Sequence, residues 1–467
     1  MTPRRNILLL NFAHYGHIIP LLELGKKLSQ HHDVDFLVSS VRVPEIAFRG
    51  LLPADTLTTG SLNVIGLADG LTLEMCNEIG DGAEVSFVQR IEIIVNAYRQ
   101  FLPSHTPAVV IADHFLYGAA EITHSHGIPF YFFHTASTKS ALEVLDFNGP
   151  TGREFEDAMY PSMKAATVYT VGIIVNSTRE LDLEAARKLQ SNPLLRGKDL
   201  KLVGPVFSAT EKPNEEADFR AWLDSQAQQS VVYVSFGSLV CPSANQLHEI
   251  GLALLSLGRP FIFSLPEAHR RHLPRELHDG ADGRRDGADR RRDGADRRRD
   301  GADGRRDGAA GDRKNFLIPG WAPQRLILGH PSVAVFVSHC GWNSTTEAMF
   351  GGVPVVGWPV FGDQFDNSEW FREHGIGETV QGTGWPCEKV LLAAEIADKI
   401  RKVADCRDYS SGGSYKENAL KWNRILRDAI GPTGSASNDL AELSAFPSAA
   451  VPCVAVPSAA VPEGNLT

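Results

Sequence analysis

Two stretches of this chain alternate short apolar runs with longer helical patterns, a grammar that leaves few folds open. In the first stretch Asn6–Phe12 reads as a buried strand and Pro20–Gln30 as a helix with Leu21, Leu24 and Leu28 on one face. Val34–Val38 is the next strand, Val85–Phe101 a helix and Ala108–Ala112 a strand, with Tyr131–Phe133 and Gly172–Val175 as later strands of the same sheet. Strands separated by helices pair in parallel through right-handed crossovers. The text then turns polar and proline-bearing over Gly204–Asp218, as an interdomain linker does. A second alternation follows: strand Val231–Phe236, helix Asn245–Leu257, strand Pro260–Leu265, strand Ala334–Ser338, a helix from about Ser344 and strand Pro354–Gly357. Two doubly wound α/β domains are therefore expected, with a ligand cleft at the carboxyl ends of their strands. A length of 467 residues suits two cores. The expected boundaries are 1–204, a linker at 205–229 and 230–433, with a helix at about 434–446 returning to the first domain.

Charge and composition narrow the function. A net charge of −10 argues against general affinity for nucleic acid or anionic membranes. The start, MTPRRNILLLNFAHYGHIIP, puts charge before an apolar run, but Ile7–Phe12 is too short for the core of a signal peptide and no small-residue cleavage site follows. No apolar run reaches the length of a membrane span. Cys76, Cys241, Cys340, Cys387, Cys406 and Cys453 are scattered without metal-ligand spacing, which reads as reduced thiols in a cytoplasmic protein. The sequons at Asn176, Asn343 and Asn465 then carry little meaning. Residues 279–312 repeat DGADRRR with ten aspartates and ten arginines, a neutral balance that makes no polycation and buries no core, so a solvated loop insertion is expected. The repetitive 447–467 reads as an unstructured tail.

The most informative stretch runs from Trp321 to Gln364. Its strand Val333–Val337 ends in Ser338-His339-Cys340-Gly341-Trp342-Asn343, and a helix opens at Ser344-Thr345-Thr346-Glu347. A strand feeding a helix start through a glycine-bearing turn offers free N–H groups and the positive end of a helix dipole, a site for phosphate. His339 and Ser344 would add donors there, and Trp321 a flat face for a base. The spacing equally allows a capping box, in which Ser344 and Glu347 satisfy the helix's own N–H groups. No GxGxxG follows a strand and no GxxxxGK[ST] occurs, which disfavours dinucleotide and P-loop enzymes.

These 44 residues resemble the signature segment of family 1 UDP-glycosyltransferases in its plant form, through WAPQ, HPSV, HCGWNST, GVPVV, WP and the closing Asp-Gln. The resemblance implies the GT-B fold, two doubly wound Rossmann-like domains facing across a cleft, and inversion at the anomeric carbon. It also implies roles. Trp321 stacks on uracil with Gln324 holding it, and Ala322 between them joins the donor-binding set. His339 contacts the diphosphate with Asn343 and Ser344 beside it, and Glu347 binds the ribose hydroxyls. Trp342, Asp363 and Gln364 face the sugar. VVYVSFGS at Val231–Ser238 looks like the family's first donor-domain strand, with Gly237 and Ser238 approaching the phosphates.

Inverting transfer needs a base for the acceptor hydroxyl. His14 and His17 follow the first strand, and Pro20 suits a helix's first position. A histidine near a helix N-terminus tends to stay neutral, as a base must. The family's Gly-His-x-x-Pro matches Gly16 to Pro20, which selects His17. Asp113, at the family's "TDxF" position, would orient its imidazole; read alone it is as well an ordinary strand-end cap. No metal is expected and no cofactor, the UDP-sugar being a co-substrate. The expected partners are UDP-glucose and a small hydroxyl-bearing acceptor, and the expected state is a monomer.

Two departures from the family bear on activity: 138–175 is much shorter than in its members, which place acceptor-pocket loops there, and the DGADRRR repeat is foreign to them. The rival expectations are a UDP-sugar-binding protein whose catalysis has decayed and a UDP-sugar epimerase on the same fold.

Overall fold

The computed structural model describes residues 4–52, 61–78, 83–207, 213–239, 241–278, 315–384, 389–405 and 413–446. The repeat at 279–312, the tail at 447–467, Cys387, Cys406, Cys453 and Asn465 lie outside them. The chain divides into two compact units: the first takes the described residues of Met1–Pro213, Gly341–Phe350 and Lys421–Thr467, the second those of Asn214–Cys340 and Gly351–Leu420.

The first unit is built on strands β1 (Asn6–Leu10), β2 (Asp33–Ser39), β3 (Leu62–Leu67), β4 (Val109–Asp113), β5 (Phe130–His134), β6 (Gly172–Val175) and β7 (Asp199–Leu202). They form one parallel sheet in the order β3-β2-β1-β4-β5-β6-β7. Strand β1 shows why its sequence reads as a continuous apolar run. Ile7 and Leu9 pack with Leu21, Leu24 and Leu28 of helix Tyr15–Leu28, while Leu8 and Leu10 enter a separate core with Ile91, Ile94 and Tyr98 of helix Phe87–Phe101. Both faces of a parallel sheet are covered, so polar alternation has no place in it. Each such leucine contributes about 1.5–3 kcal/mol by its burial.

The second unit holds β8 (Val231–Ser235), β9 (Phe261–Ser264), β10 (Phe316–Leu317), β11 (Val333–Ser338), β12 (Val355–Gly357) and β13 (Gly377–Thr379). They too are all parallel, in the order β10-β9-β8-β11-β12-β13. In each sheet the strand order reverses once, between β1 and β4 in the first and between β8 and β11 in the second. Loops leaving the carboxyl ends of those flanking strands diverge, and that is where open α/β sheets hold ligands.

Three expectations need correcting. Pro20 does not open its helix: the helix runs Tyr15–Leu28 and Pro20 is its sixth residue. The helix after β11 begins at Trp342 rather than Ser344, which makes Ser344 its third residue and removes the capping-box alternative. The expected linker contains helix Pro213–Asp224, where Phe219 and Leu223 are buried. Proline at the first position of a helix has its fixed φ already suited to it, so polarity there marked a helix rather than a tether. The shortened 138–175 region is itself ordered as helices Thr138–Asp146 and Glu154–Ala166.

Helix Ser435–Ala445 lies against β7 within the first unit. Asp439 accepts two hydrogen bonds from Arg179, each 3.0 Å, and a third from the Leu202 N–H at 2.8 Å. His32 Nε2 meets the Ser444 carbonyl at 2.7 Å.

Candidate functional site

The strands flanking the first reversal carry the first group of residues. His17 lies in the opening turn of the helix after β1, and Asp113 is the last residue of β4. His17 Nδ1 and Asp113 Oδ2 are 2.7 Å apart, the aspartate fully buried and the imidazole only partly so. Asp113 Oδ1 accepts from the Phe115 N–H at 2.9 Å, so the carboxylate is held at both oxygens. Burial works to raise the Asp113 carboxyl, but the charge and hydrogen bond of His17 outweigh it and leave it below its ordinary value. With Nδ1–H donated to Asp113, the His17 lone pair sits on Nε2. The rings of Phe12 and Phe115 pack around the imidazole, at centroid distances of 5.5 and 4.7 Å.

His14 sits differently. It is buried, Arg90 Nη1 donates to its Nε2 at 3.3 Å, and burial followed by the charges of His17 and Arg90 keeps it neutral well below its ordinary value.

Asp113 also approaches His114, and ligand atoms of His17, Asp113 and His114 lie within 4.8 Å of one another. Sequence spacing cannot display a grouping that joins residues 17 and 113. The atoms are already engaged, His17 Nδ1 on Asp113 and His114 Nδ1 at 3.3 Å from the Phe133 carbonyl. Burial pushes His114 down to about 4 and His134, its ring tilted against it at a centroid distance of 4.2 Å, well below its ordinary value.

Trp342, Asn343, Ser344 and Glu347 stand on helix Trp342–Gly351, which clusters with the first unit. The indole Nε1–H of Trp342 donates to the Asn176 carbonyl at 2.7 Å, both groups buried. The Asn343 amide donates to the Gly16 carbonyl at 3.2 Å. Ser344 is buried and Glu347 partly exposed.

The strands flanking the second reversal carry the other group. Gly237 and Ser238 follow β8 and are exposed, and His339 follows β11. Burial pushes the His339 imidazole down to about 4, so it is a neutral donor with one N–H. Trp321 is 54% exposed, unusual for an indole, while Ala322 beside it is buried. Gln324 opens helix Gln324–Leu328 and its Oε1 accepts from Tyr233 Oη at 3.0 Å. Asp363 and Gln364 start helix Gln364–Glu373. Gln364 Oε1 accepts from the N–H groups of Val360 and Phe361 at 2.9 and 3.2 Å, and Asp363 Oδ2 from Asn367 Nδ2 at 3.0 Å.

Sequence reasoning missed several supports. Thr135 Oγ1 lies 3.2 Å from His17 Nδ1. Asn367 Nδ2 also reaches the Cys340 carbonyl at 3.0 Å, tying Asp363 to the turn after β11. Asn176 was visible only as a sequon. For Thr135 and Asn176 the one available signal was position, each just past the carboxyl end of a strand.

Relatives of known activity share this chain's length. It is 28% identical to UDP-glucose flavonoid 3-O-glucosyltransferase 7 of Fragaria ananassa, over 85% of this chain and 86% of that protein. It is 26% identical to anthocyanidin 3-O-glucosyltransferase of Gentiana triflora, over 95% and 98%. In fold it matches Medicago truncatula UGT71G1 complexed with UDP-glucose at TM-score 0.72 and 20% identity, over 94% of this chain and 98% of that one. Phytolacca americana UGT2, complexed with UDP-2fluoro-glucose and pterostilbene, matches at TM-score 0.70 and 22% identity, over 94% and 99%. The two reversing parallel sheets are those of the GT-B fold. The sequence profile of one family covers residues 191–433, more than half of the chain and including the whole Trp321–Gln364 segment, and the chain belongs to it: the UDP-glucoronosyl and UDP-glucosyl transferase family.

Proposed function

We propose that this UDP-dependent glycosyltransferase moves glucose from UDP-glucose to a hydroxyl of a small lipophilic acceptor, with inversion and without a metal. The observation that carries the reading is the 2.7 Å bond between partly exposed His17 and fully buried Asp113. His17 Nε2 takes the acceptor's hydroxyl proton while the oxygen forms its bond to the anomeric carbon, and the bond from that carbon to the UDP oxygen breaks. Asp113 holds the tautomer and balances the imidazolium that forms.

The donor roles follow the residues. Trp321, Ala322 and Gln324 take the uracil, Glu347 the ribose, and Asp363 and Gln364 the glucose. We assign Gly237, Ser238, His339 and Ser344 to the diphosphate, whose developing leaving-group charge neutral N–H and O–H donors can meet. Trp342 bounds the sugar with its ring, since its indole N–H is already given to Asn176. A small phenol-like acceptor is suggested by the flavonoid and anthocyanidin glucosyltransferases to which the chain is similar. We place the enzyme in the cytoplasm because its six cysteines are scattered along a chain large enough to fold without disulfide staples. Among the described residues no helix is long and apolar enough to cross a membrane.

The deciding experiment incubates the protein with UDP-glucose and a broad panel of phenols and alcohols, with products identified by mass spectrometry. A product heavier by one hexose is expected, together with loss of that product in His17→Ala. Calorimetric binding of UDP-glucose with no product from any acceptor would favour a decayed binding protein, and isomerisation of the donor without acceptor an epimerase. A competition won clearly by UDP-galactose or UDP-glucuronate would remove the glucose assignment.

A further inference from the structure

Pro20 brings no N–H to the carbonyl four residues before it, and that carbonyl belongs to Gly16, the neighbour of His17. The turn that carries the imidazole therefore lacks one of the hydrogen bonds that ordinarily stiffen a helix. The Gly16 carbonyl instead accepts from Asn343 Nδ2 at 3.2 Å. A second tether starts one residue earlier. Trp342 Nε1 donates to the Asn176 carbonyl at 2.7 Å, Asn176 Nδ2 donates to the Thr135 carbonyl at 3.4 Å, and Thr135 Oγ1 lies 3.2 Å from His17 Nδ1. The first two residues of helix Trp342–Gly351 thus reach the surroundings of His17 by two separate routes, and all of these residues belong to the first unit.

We propose that Asn343 is a positioning residue for His17: its amide occupies the Gly16 carbonyl that Pro20 leaves open, and so fixes the turn on which His17 stands. The proposal rests on His17 being the base, and it gives Asn343 a task other than the diphosphate contact that the family resemblance implies. The amide is suited to that task. It can donate to a carbonyl where a carboxylate would repel it, and it carries no charge to compete with Asp113 for the imidazole.

The test is a cycle of Asn343→Ala, Pro20→Ala and the double variant in the full chain. Each is measured for kcat and KM with the acceptor found above, for UDP affinity by calorimetry, and for Tm. Asn343→Ala should lower kcat about threefold to tenfold, the worth of one hydrogen bond, with UDP affinity within about twofold of wild type. Pro20→Ala supplies an N–H to Gly16, so adding Asn343→Ala to it should cost less than about twofold. The Tm changes should be non-additive in the same sense. An Asn343→Ala variant that loses UDP affinity more than about tenfold at unchanged kcat would make Asn343 a diphosphate ligand and overturn the proposal. Equal losses in both backgrounds, or additive Tm values, would overturn it as well. Full transfer by His17→Ala would instead remove the base, and the proposal with it, and so separates the two failures.

Discussion

A Cβ built on Gly237 would lie 2.6 Å from His339 Nε2, and Gly237 holds a φ of +78°. The two residues follow β8 and β11, the strands on either side of the second sheet's reversal. Glycine is required there twice, once for the left-handed backbone and once for the approach to the imidazole. Gly237→Ala is therefore expected to pay about 1–2 kcal/mol of backbone strain and to displace His339. Calorimetry should show UDP binding weakened about tenfold or more, with a lower Tm. Wild-type affinity in that variant would separate His339 from the donor.

The dyad gives the sharpest expectation for catalysis. His17→Ala should lower kcat by about 10²–10⁴-fold, the usual contribution of a general base, while UDP affinity stays near wild type. Asp113→Asn should also lose rate, because an amide can donate to His17 Nδ1 and stabilise the other tautomer. Transfer surviving in His17→Ala at a tenth or more of the wild-type rate would point to another base or to water.

Stability should fall on acidification well before the carboxylates titrate. His114 and His339 stay neutral in the folded chain down to about 4, against an ordinary value of 6.5. In that window the unfolded chain binds protons that the folded chain does not, so the stabilisation is full above 6.5 and is lost as pH falls toward 4. Each such histidine adds a slope of up to about 1.4 kcal/mol per pH unit. The depressed carboxyl of Asp113 acts lower, its contribution lost only as pH falls through its folded value. Tm measured from pH 7.5 to 4.5 should show this slope, and His114→Asn should flatten it by about one proton. An unchanged slope would mean that His114 is protonated in the folded chain.

Asp439 and Arg179 should respond unequally to removal. Arg179 is 47% exposed, and losing it leaves Asp439 with its bond from Leu202 N–H, so Arg179→Ala should cost no more than about 1 kcal/mol. Asp439→Ala leaves the buried Leu202 N–H without this acceptor and should cost about 1–3 kcal/mol. Thermal unfolding of the two variants checks the order, and the reverse order would place the stabilisation in the ion pair.

The legible parts of this protein were those whose cause is local. The apolar runs of β1, β4, β8 and β11 announce strands covered on both faces, and strand–helix alternation implies the parallel sheets that the structure then displays. The turn residues Gly16 to Pro20 and His339 to Asn343 carry their pattern in a few consecutive positions. Strands β3, β7, β10 and β13 escaped notice because they are short or half-exposed and lean on a neighbour for their conformation.

By itself, the sequence determined the fold class, the family resemblance and which residue types stand at the strand ends. Only the tertiary structure decided what those residues touch. Helix Trp342–Gly351 starts two residues before the apparent cap, with its first indole bonded to a carbonyl 166 residues away. Helix Tyr15–Leu28 runs through Pro20, whose missing hydrogen bond is replaced on Gly16 from Asn343, 327 residues along the chain. A hydrogen bond across such a span has no periodicity to betray it, because its geometry is set by tertiary packing within the first unit and not by any local repeat of the chain.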